Sequence, residues 1–472
     1  MRNDPWLCPW SAPTALTPAD GYRGSAPGLE YLAVDTAPTP GGAHAVPDAR
    51  QEEVLWSDLQ APVFGSYQHI GSGRSGFYGG KYLKGIGRTA IAHNWARGED
   101  AYHASGHLFA SGAIREHLVS VLLEAAGAGH TIVPCEAVLL RRMPSELRTD
   151  LDAHFAAQDG LGMAPIDREL QAISVKPGGF ARLTNMLWFA SRLRMPADDA
   201  PAFCWMLQEF AQDPRDEFDG ERTPETVVAA LMGAAERTLA NFETFFRLGV
   251  YWSSVANNFT LDGRFLDLEL PTVTGRRFFG GIECSADREE GGTMGLVLTT
   301  GDFIEAVAYL RRGLARLEHA LRGQLLDGRD SPKHALVRDL CEGLAQQRES
   351  HVLYDDEALL GRLHELFVGV RAVPANLAEV LRGEFNQWVL GKSGAALEPS
   401  LVEAPVTLAR TESMVRSRLR VHAVGDSGAW QVAREFNDSL RDLDETPALD
   451  EALEKLERAV QRTRELGSQL QG

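Results

Sequence analysis

The chain is organised around the stretch NNFTLDGRFLDLE, residues 257–269. Asp262-Gly263 is a strong two-residue turn signal with apolar residues on both sides. Because the turn folds the chain back on itself, we expect Asn258 and Asp267 to lie side by side. An amide oxygen and a carboxylate so placed suit Mg²⁺, which takes its remaining ligands from phosphate and water. The same stretch is also typical of a surface hairpin whose Asn residues bond their own backbone, with Asp267 as a strand-end carboxylate.

Length and charge limit the classes of protein to consider. With 472 residues, the chain has room for two or three domains or for one large two-lobed unit. A formal charge of −18 repels nucleic acid and anionic membrane, so neither is expected as a partner. There is no apolar run of membrane-spanning length, the first residues lack a signal-peptide core, and the five cysteines are far apart. These features predict a cytoplasmic protein and leave its oligomeric state open.

A glycine-rich segment lies ahead of a lysine-bearing strand. Residues 71–76 read GSGRSG, and residues 81–84 read KYLK, which predicts a strand. Glycines at this density let a backbone turn sharply and approach a phosphate closely. A glycine hairpin followed by a strand lysine is the order of parts in a protein kinase, whereas in a dinucleotide-binding fold a long helix follows the glycines. The alternative is a flexible glycine loop with a solvated lysine.

A helix is predicted from Ser111, a suitable N-cap, because Ile114, Leu118 and Leu122 form one apolar stripe. Glu116 lies on this helix but off the stripe. A carboxylate there is able to hold a strand lysine towards phosphates, as the helix-C glutamate does in kinases. An ordinary solvated glutamate is the alternative interpretation.

Beyond residue 171 the patterns are mostly helical. Residues 172–182 predict a strand, a turn and a helix start, with Lys176 and Arg182 as candidate anion contacts and Arg182 near a helix N-terminus. The best helical periodicity spans 224–247, and further amphipathic helices are predicted within 300–390. The last 25 residues predict a charged amphipathic helix, for which packing on the core of the helical lobe is preferred to packing on a second subunit.

Three histidines, His93, His103 and His107, invite a metal hypothesis. His103 and His107 are four residues apart, which would place them on one face of a helix. Gly106 lies between them, and no Glu follows His103. Ordinary surface or core histidines are therefore preferred.

The parts follow the order of a kinase-like phosphate-handling site: glycine loop, strand lysine, helix glutamate, helical lobe, Asn, turn and Asp. Several local matches make the chain resemble the selenoprotein O family, also called the YdiU family. Residues 71–74, GSGR, resemble that family's Gly-Asp-Gly-Arg loop, and residues 83–89, LKGIGRT, resemble its Leu-Lys-Gly-Ala-Gly-Pro-Thr segment. The triplet SGH at 105–107 and IREHL at 114–118 resemble its Asp-Gly-Arg followed by Ile-Arg-Glu-Phe-Leu. Asn258 and Asp267 have the separation of its metal-binding Asn and Asp.

The resemblance implies an α+β, bilobal protein-kinase-like fold with a small strand-containing N-lobe and a large, mostly helical C-lobe. The expected order is an irregular N-terminal arm over 1–60, a nucleotide-binding N-lobe over 61–170, a helical C-lobe with the metal site over 171–412, and a C-terminal helical segment over 413–472.

The resemblance also implies ATP and Mg²⁺ as cofactors, and a role for each matched residue. The implied nucleotide-binding residues are Gly71, Gly73, Arg74, Gly106 and Arg182. The implied catalytic residues are Lys84, which binds phosphate, Glu116, which pairs with Lys84, and Asn257, at the place of the family's base. The implied metal ligands are Asn258 and Asp267.

The chain departs from the family at five places. The family's first phosphate arginine has no clear counterpart, and the spacing from Lys84 to Glu116 is longer than in the family. Asn257 replaces the catalytic-base Asp, and an amide cannot accept a proton as a carboxylate does. Ser105 replaces the Asp of Asp-Gly-Arg, and Glu269 follows the final Asp where the family has glycine, with Leu268 intervening.

The family transfers AMP to Ser, Thr or Tyr hydroxyls, so the resemblance implies AMP transfer to a protein or peptide acceptor. One alternative is a pseudokinase that binds nucleotide as a scaffold, which Asn257 favours. Another is a kinase that transfers a phosphoryl group to a peptide or small molecule. A helix-rich module without enzymatic activity remains open if the matches arise by chance.

Overall fold

The computed structural model describes residues 12–15, 23, 54–57, 75–78, 81–85, 107–145, 148–149, 164–182, 200–216, 218–251, 258–269, 272–273, 303, 306–307, 310–311, 313–319, 321–323, 332–368 and 427–470. Within these ranges the chain is α+β and mostly helical, with one antiparallel sheet and a short two-stranded ribbon.

The first four strands form an antiparallel meander. They are β1 (Ala12–Ala15), β2 (Val54–Ser57), β3 (Ser75–Tyr78) and β4 (Lys81–Lys84). The arm predicted to be irregular over 1–60 therefore contributes two strands to the sheet. The strand predicted over 81–84 is confirmed, and its pairing with β3, in which Tyr78 lies opposite Lys81, is the register of a two-residue hairpin.

The strand β7 is the centre of the sheet. The chain reaches it through β5 (Leu108–Phe109), α1 (Ala110–Ala125), β6 (Ala137–Arg142), α2 (Pro165–Glu169) and then β7 itself (Leu170–Pro177). β4 and β5 pair along one edge of β7, and β6 pairs along the other. Because it has neighbours on both edges, β7 is buried up to its last residue, and Lys176 is carried into the interior with it.

The helix α1 is capped by a contact that the sequence did not predict. It begins at Ala110, and no side chain caps it from the preceding residue. Ser111, predicted as the N-cap, instead donates its backbone N–H (2.8 Å) and its hydroxyl (2.5 Å) to the carboxylate of Asp167 in α2. A free amide at a helix start needs an acceptor, and here a distant carboxylate supplies it. The predicted apolar stripe of α1 is buried.

The described part of the chain beyond β7 is largely helical. Its bounded elements are α3 (Ala200–Ala211), α4 (Pro224–Leu248), β8 (Val250–Tyr251), β9 (Thr272–Val273), α5 (Pro332–Ser350) and α6 (Asp356–Val368). α4 confirms the helix predicted over 224–247. It starts at Pro224, and a proline suits this position because the first turn of a helix has no acceptor for its N–H. The backbone amide of Thr223 donates to the Thr226 hydroxyl, and the amide of Thr226 donates to the Thr223 hydroxyl. α4 packs against α3 and α5 through its apolar face.

Two further helices, α7 (Ser427–Asp444) and α8 (Leu449–Gln469), end the described chain. α8 confirms the helix predicted for the last 25 residues, but it packs mainly on α1, which the sequence assigned to the other lobe. The expectation that it packs on the helical C-lobe is therefore wrong. The reason is a close crossing at Gly467, where a Cβ would lie 2.6 Å from the Leu122 carbonyl oxygen.

No helix among the described residues is long and apolar enough to cross a membrane. The expectation of an α+β fold that is mostly helical with a small strand-containing part is confirmed at that level.

Candidate functional site

The predicted Asp262-Gly263 turn is confirmed, and it is buried against α4. Gly263 has a φ of +91°, a left-handed conformation that glycine adopts without strain. Asn241 donates its side-chain amide to the Gly263 carbonyl at 2.8 Å, and Arg237 donates to the Asp262 carbonyl at 2.9 Å. Asp262 is only 2% exposed, so the interpretation of this stretch as a surface hairpin is wrong.

The two arms of the hairpin present different faces. Phe259 and Phe265 lie opposite each other, and the Phe265 ring packs 4.7 Å from the ring of Phe245 in α4. Side chains alternate along extended arms, so Asn258 is on the face turned away from this aromatic cluster. The Leu266 amide donates to the Asn258 carbonyl at 2.8 Å. Asn258 is thus held opposite Leu266, the residue that precedes Asp267.

Asp267 meets the lysine of β4. Lys84 Nζ lies 2.5 Å from Asp267 Oδ1 and 3.0 Å from Glu269 Oε1. Asp267 has a φ of +70°, and it is the one described residue other than glycine with a left-handed backbone conformation. Such a conformation costs about 1–3 kcal/mol and persists where surrounding contacts determine it. Two sequence-predicted site residues 183 positions apart are therefore brought together, in a conformation often found at functional sites.

Glu116 pairs with a different lysine from the one expected. Its Oε1 accepts from Lys176 Nζ of β7 and, at 3.0 Å, from the Leu268 amide. The solvated alternative is therefore wrong, since Glu116 is fully buried, and the ion pair that the structure shows for Glu116 is with Lys176, where one with Lys84 was expected. Burial alone would raise the pKa of Glu116, but the charges of Lys176 and then Lys84 outweigh it and lower that pKa. The pairing follows from the strand register. Lys176 of β7 lies opposite Tyr82 of β4, and because Tyr82 and Lys84 are two residues apart, all three side chains are on the same face of the sheet.

Arg182 joins the hairpin to the sheet. Its guanidinium donates to the Asn258 Oδ1 at 3.4 Å and to the Tyr82 hydroxyl at 3.1 Å. The Tyr82 hydroxyl donates in turn to the Ser75 hydroxyl at 2.7 Å. Arg182 pairs with Thr260 in a β-bridge, and the helix expected to start beside it would lie outside the described residues. Its guanidinium nevertheless reaches the predicted metal ligand Asn258.

The described site thus gathers three cationic and three anionic side chains with little exposure. These are Lys84, Lys176 and Arg182, and Glu116, Asp267 and Glu269. The formal charges cancel, which permits the cluster to be buried.

The oxygen donors at this site suit a Mg²⁺ ion that is bound partly by the protein and partly by a ligand. No group of three or more His, Cys, Asp or Glu side chains with metal-site geometry occurs in the described part of the chain. An all-protein metal cage is therefore not supported there. Asn258 and Asp267 instead offer an amide oxygen and a carboxylate, the small set of hard ligands with which a protein holds a Mg²⁺ that also binds phosphate and water.

Some predicted site residues lie outside the described ranges: Gly71, Gly73, Arg74, Gly106 and Asn257. His103 does so as well. His107 is described just before β5 rather than in a helix, and its Nδ1 is 3.3 Å from the side-chain amide of Gln171.

Sequence reasoning missed two residues of the site, Glu269 in the cluster and Tyr82, which accepts from Arg182. Glu269 stood out only as a departure from the family's glycine. Tyr82 could have been found from the sequence, because a residue two positions before a strand lysine lies on the same face of the strand as that lysine.

No protein-family model matches this chain, and no curated protein matches its sequence. The resemblance to the selenoprotein O family therefore remains an expectation, and the chemistry of the site carries the functional conclusion.

Proposed function

We propose that this protein is a Mg²⁺-dependent, ATP-using transferase with a bilobal, kinase-like fold, and that it moves AMP to a hydroxyl of a protein or peptide. The observation that carries the proposal is the contact of Lys84 with Asp267 beside Asn258. In protein kinases a strand lysine binds the nucleotide's phosphates while an Asn and a following Asp hold the metal ions, and Lys84, Asn258 and Asp267 would take these parts here.

The chain's own cations would hold the triphosphate. Lys84 is the last residue of β4. Arg182 lies beside Asn258, and its guanidinium donates hydrogen bonds to Asn258 and to Tyr82. Arg74, from the glycine-rich segment, is a third candidate from sequence alone. Since Lys84 is held by two carboxylates, phosphate binding must compete with Asp267 and Glu269 for its ammonium.

Asn258 and Asp267 would hold the metal. Mg²⁺ supplies charge neutralisation to the phosphates and helps to fix their orientation. Catalysis in such sites is mostly positioning and charge stabilisation.

The transfer itself is a displacement at the α-phosphorus. The acceptor oxygen forms a bond to that phosphorus, the bond to the bridging oxygen breaks, and pyrophosphate leaves. The acceptor proton passes to water, because Asn257 cannot take it. A general base is typically worth about 10²–10⁴-fold, so a slow enzyme is expected.

Asn257 also favours a second function, that of a pseudokinase which binds nucleotide without transfer. A third is phosphoryl transfer to a peptide or small molecule, which would use the same cations and the same metal ligands.

One labelling experiment separates these functions. Purified protein is incubated with Mg²⁺ and ATP labelled at the α- or at the γ-phosphate, alone and with acceptor protein. Asp267→Ala is compared with Asp438→Ala, which removes a half-exposed carboxylate from the surface of α7. We expect α-label on protein with wild type and Asp438→Ala, and none with a folded Asp267→Ala.

Transfer of γ-label alone would make the protein a kinase. ATP binding that depends on Asp267 without transfer would favour the pseudokinase. Unchanged transfer by a folded Asp267→Ala would refute the metal assignment.

A further inference from the structure

One ion pair of the cluster is not used by the proposed chemistry. Lys176 and Glu116 are 1% and 0% exposed, and Lys176 donates directly to Glu116 Oε1. The Lys176 ammonium also lies 5.9 Å from the centre of the Tyr82 ring. Lys176 is therefore enclosed by the protein, although the sequence suggested that it contacts an anionic ligand.

The carboxylate of Glu116 depends on this lysine. Its Oε2 is buried and has no hydrogen-bond partner among the described residues, so Oε1 accepts the hydrogen bonds from Lys176 and from the Leu268 amide. Lys176 is the foremost group that lowers the pKa of Glu116 against the effect of burial. A buried charge that loses its partner is strongly destabilised.

Glu116 in turn holds the backbone beside the proposed metal ligand. The same Oε1 accepts from the amide of Leu268 at 3.0 Å. Leu268 follows Asp267 directly, and Asp267 has a left-handed φ of +70°. A hydrogen bond to the next amide restrains the peptide that sets this conformation.

We propose that Lys176 is a positioning residue of the site. It fixes the Glu116 carboxylate, which through the Leu268 amide fixes Asp267 in the orientation that meets Lys84. The role in Mg²⁺ and nucleotide binding rests on the proposed function, whereas the positioning itself is measurable without any ligand.

Hydrogen exchange at the Leu268 amide tests the positioning in the full chain without nucleotide. We compare wild type with Lys176→Met, and use Lys81→Met as the matched control. Lys81 is on the same strand as Lys84, but its ion pair with Glu136 is on the surface, at 34% and 40% side-chain exposure. We expect exchange at Leu268 to be about ten-fold faster or more in Lys176→Met and unchanged in Lys81→Met, because charge-assisted hydrogen bonds are about twice as strong as neutral ones.

A second variant covers the case in which Lys176→Met does not fold. Lys176→Met combined with Glu116→Gln leaves no unpaired buried charge, so it is expected to fold while still exchanging Leu268 faster than wild type. Wild-type exchange at Leu268 in either folded variant would overturn the proposal.

The ratio of ATP affinity with Mg²⁺ to ATP affinity with EDTA is the functional readout. We expect Lys176→Met to lower this ratio about ten-fold and Lys81→Met to leave it at the wild-type value. A loss of general stability would not selectively remove the Mg²⁺-dependent part. A wild-type ratio in a folded Lys176→Met would overturn the link to the metal, whereas wild type that binds no ATP would refute the proposed function and leave the exchange result to decide the positioning.

Discussion

Gly263→Ala should destabilise the hairpin that carries both proposed metal ligands. Gly263 has a φ of +91°, and an added Cβ would lie 2.5 Å from the Ala234 carbonyl oxygen and 3.1 Å from Arg237 Cβ. The left-handed conformation costs a residue with a Cβ about 1–2 kcal/mol. Overpacking against a helix backbone typically adds about 1–3 kcal/mol. The two terms together predict a loss of roughly 2–5 kcal/mol.

Urea denaturation followed by circular dichroism measures this loss as a lower midpoint. Gly361→Ala is the control, because Gly361 lies within α6 and a Cβ there meets no atom within 4 Å. That control should be neutral or more stable by about 1 kcal/mol, since alanine is the better helix former. Hydrogen exchange should localise the damage in Gly263→Ala to residues 258–266. A wild-type midpoint for Gly263→Ala would refute the buried, left-handed turn.

Two further predictions concern α1. Burial raises the pKa of Asp167 to about 6 from 3.8, against the hydrogen bonds from Ser111 that lower it. The folded state therefore holds the Asp167 proton more tightly than the unfolded state. The free energy of unfolding consequently falls as the pH rises from about 4 to about 6, and above that range the contribution of Asp167 is constant. Relative to Asp167→Asn, wild type should gain about 1–2 kcal/mol of stability between pH 7 and pH 5 at 1.36 kcal/mol per pKa unit, and parallel stability–pH curves would contradict this. Gly467→Ala should lower the thermal midpoint, because its Cβ would lie 2.6 Å from the Leu122 carbonyl oxygen and 2.7 Å from Ala125 Cβ. Such an overlap typically costs about 1–3 kcal/mol, which over most of that range outweighs the helix-propensity gain of about 1 kcal/mol. An unchanged midpoint would show that α8 does not cross α1 this closely.

The charge pairing at the site has a consequence for any ligand. Lys84 is shared by Asp267 and Glu269, and Lys176 is committed to Glu116. An anionic ligand that reaches Lys84 must therefore displace carboxylates, and a cation at Asp267 would favour that exchange. If the site takes nucleotide and Mg²⁺ as proposed, the two should accordingly bind better together than separately.

Local signals predicted a good part of the fold. The KYLK strand, the helix over 224–247, the final helix and the Asp262-Gly263 turn are all present. Each depends on a short-range property, either the period of apolar side chains or the conformational freedom of glycine. That Lys84 and Asp267 belong to one site was an expectation from the resemblance in the order of parts, whereas their direct contact was not predicted.

Partner choice could not be predicted in the same way. Glu116 pairs with Lys176 because the register of β7 against β4 places that lysine beneath α1. The cap of α1 comes from Asp167, 56 residues beyond Ser111. Neither pairing leaves a periodic trace in the sequence, because each is set by where two distant elements meet.

By itself, then, the sequence determined the KYLK strand, the helix over 224–247, the final helix and the Asp262-Gly263 turn, and it offered a lysine, an arginine and two oxygen-bearing side chains for phosphate chemistry. Only the tertiary structure decided which charges pair, that the turn is buried, and that the last helix packs on α1. The physical reason is that secondary structure depends on neighbours within a few residues, whereas the pairing of a buried charge depends on the partner that packing brings within hydrogen-bond distance.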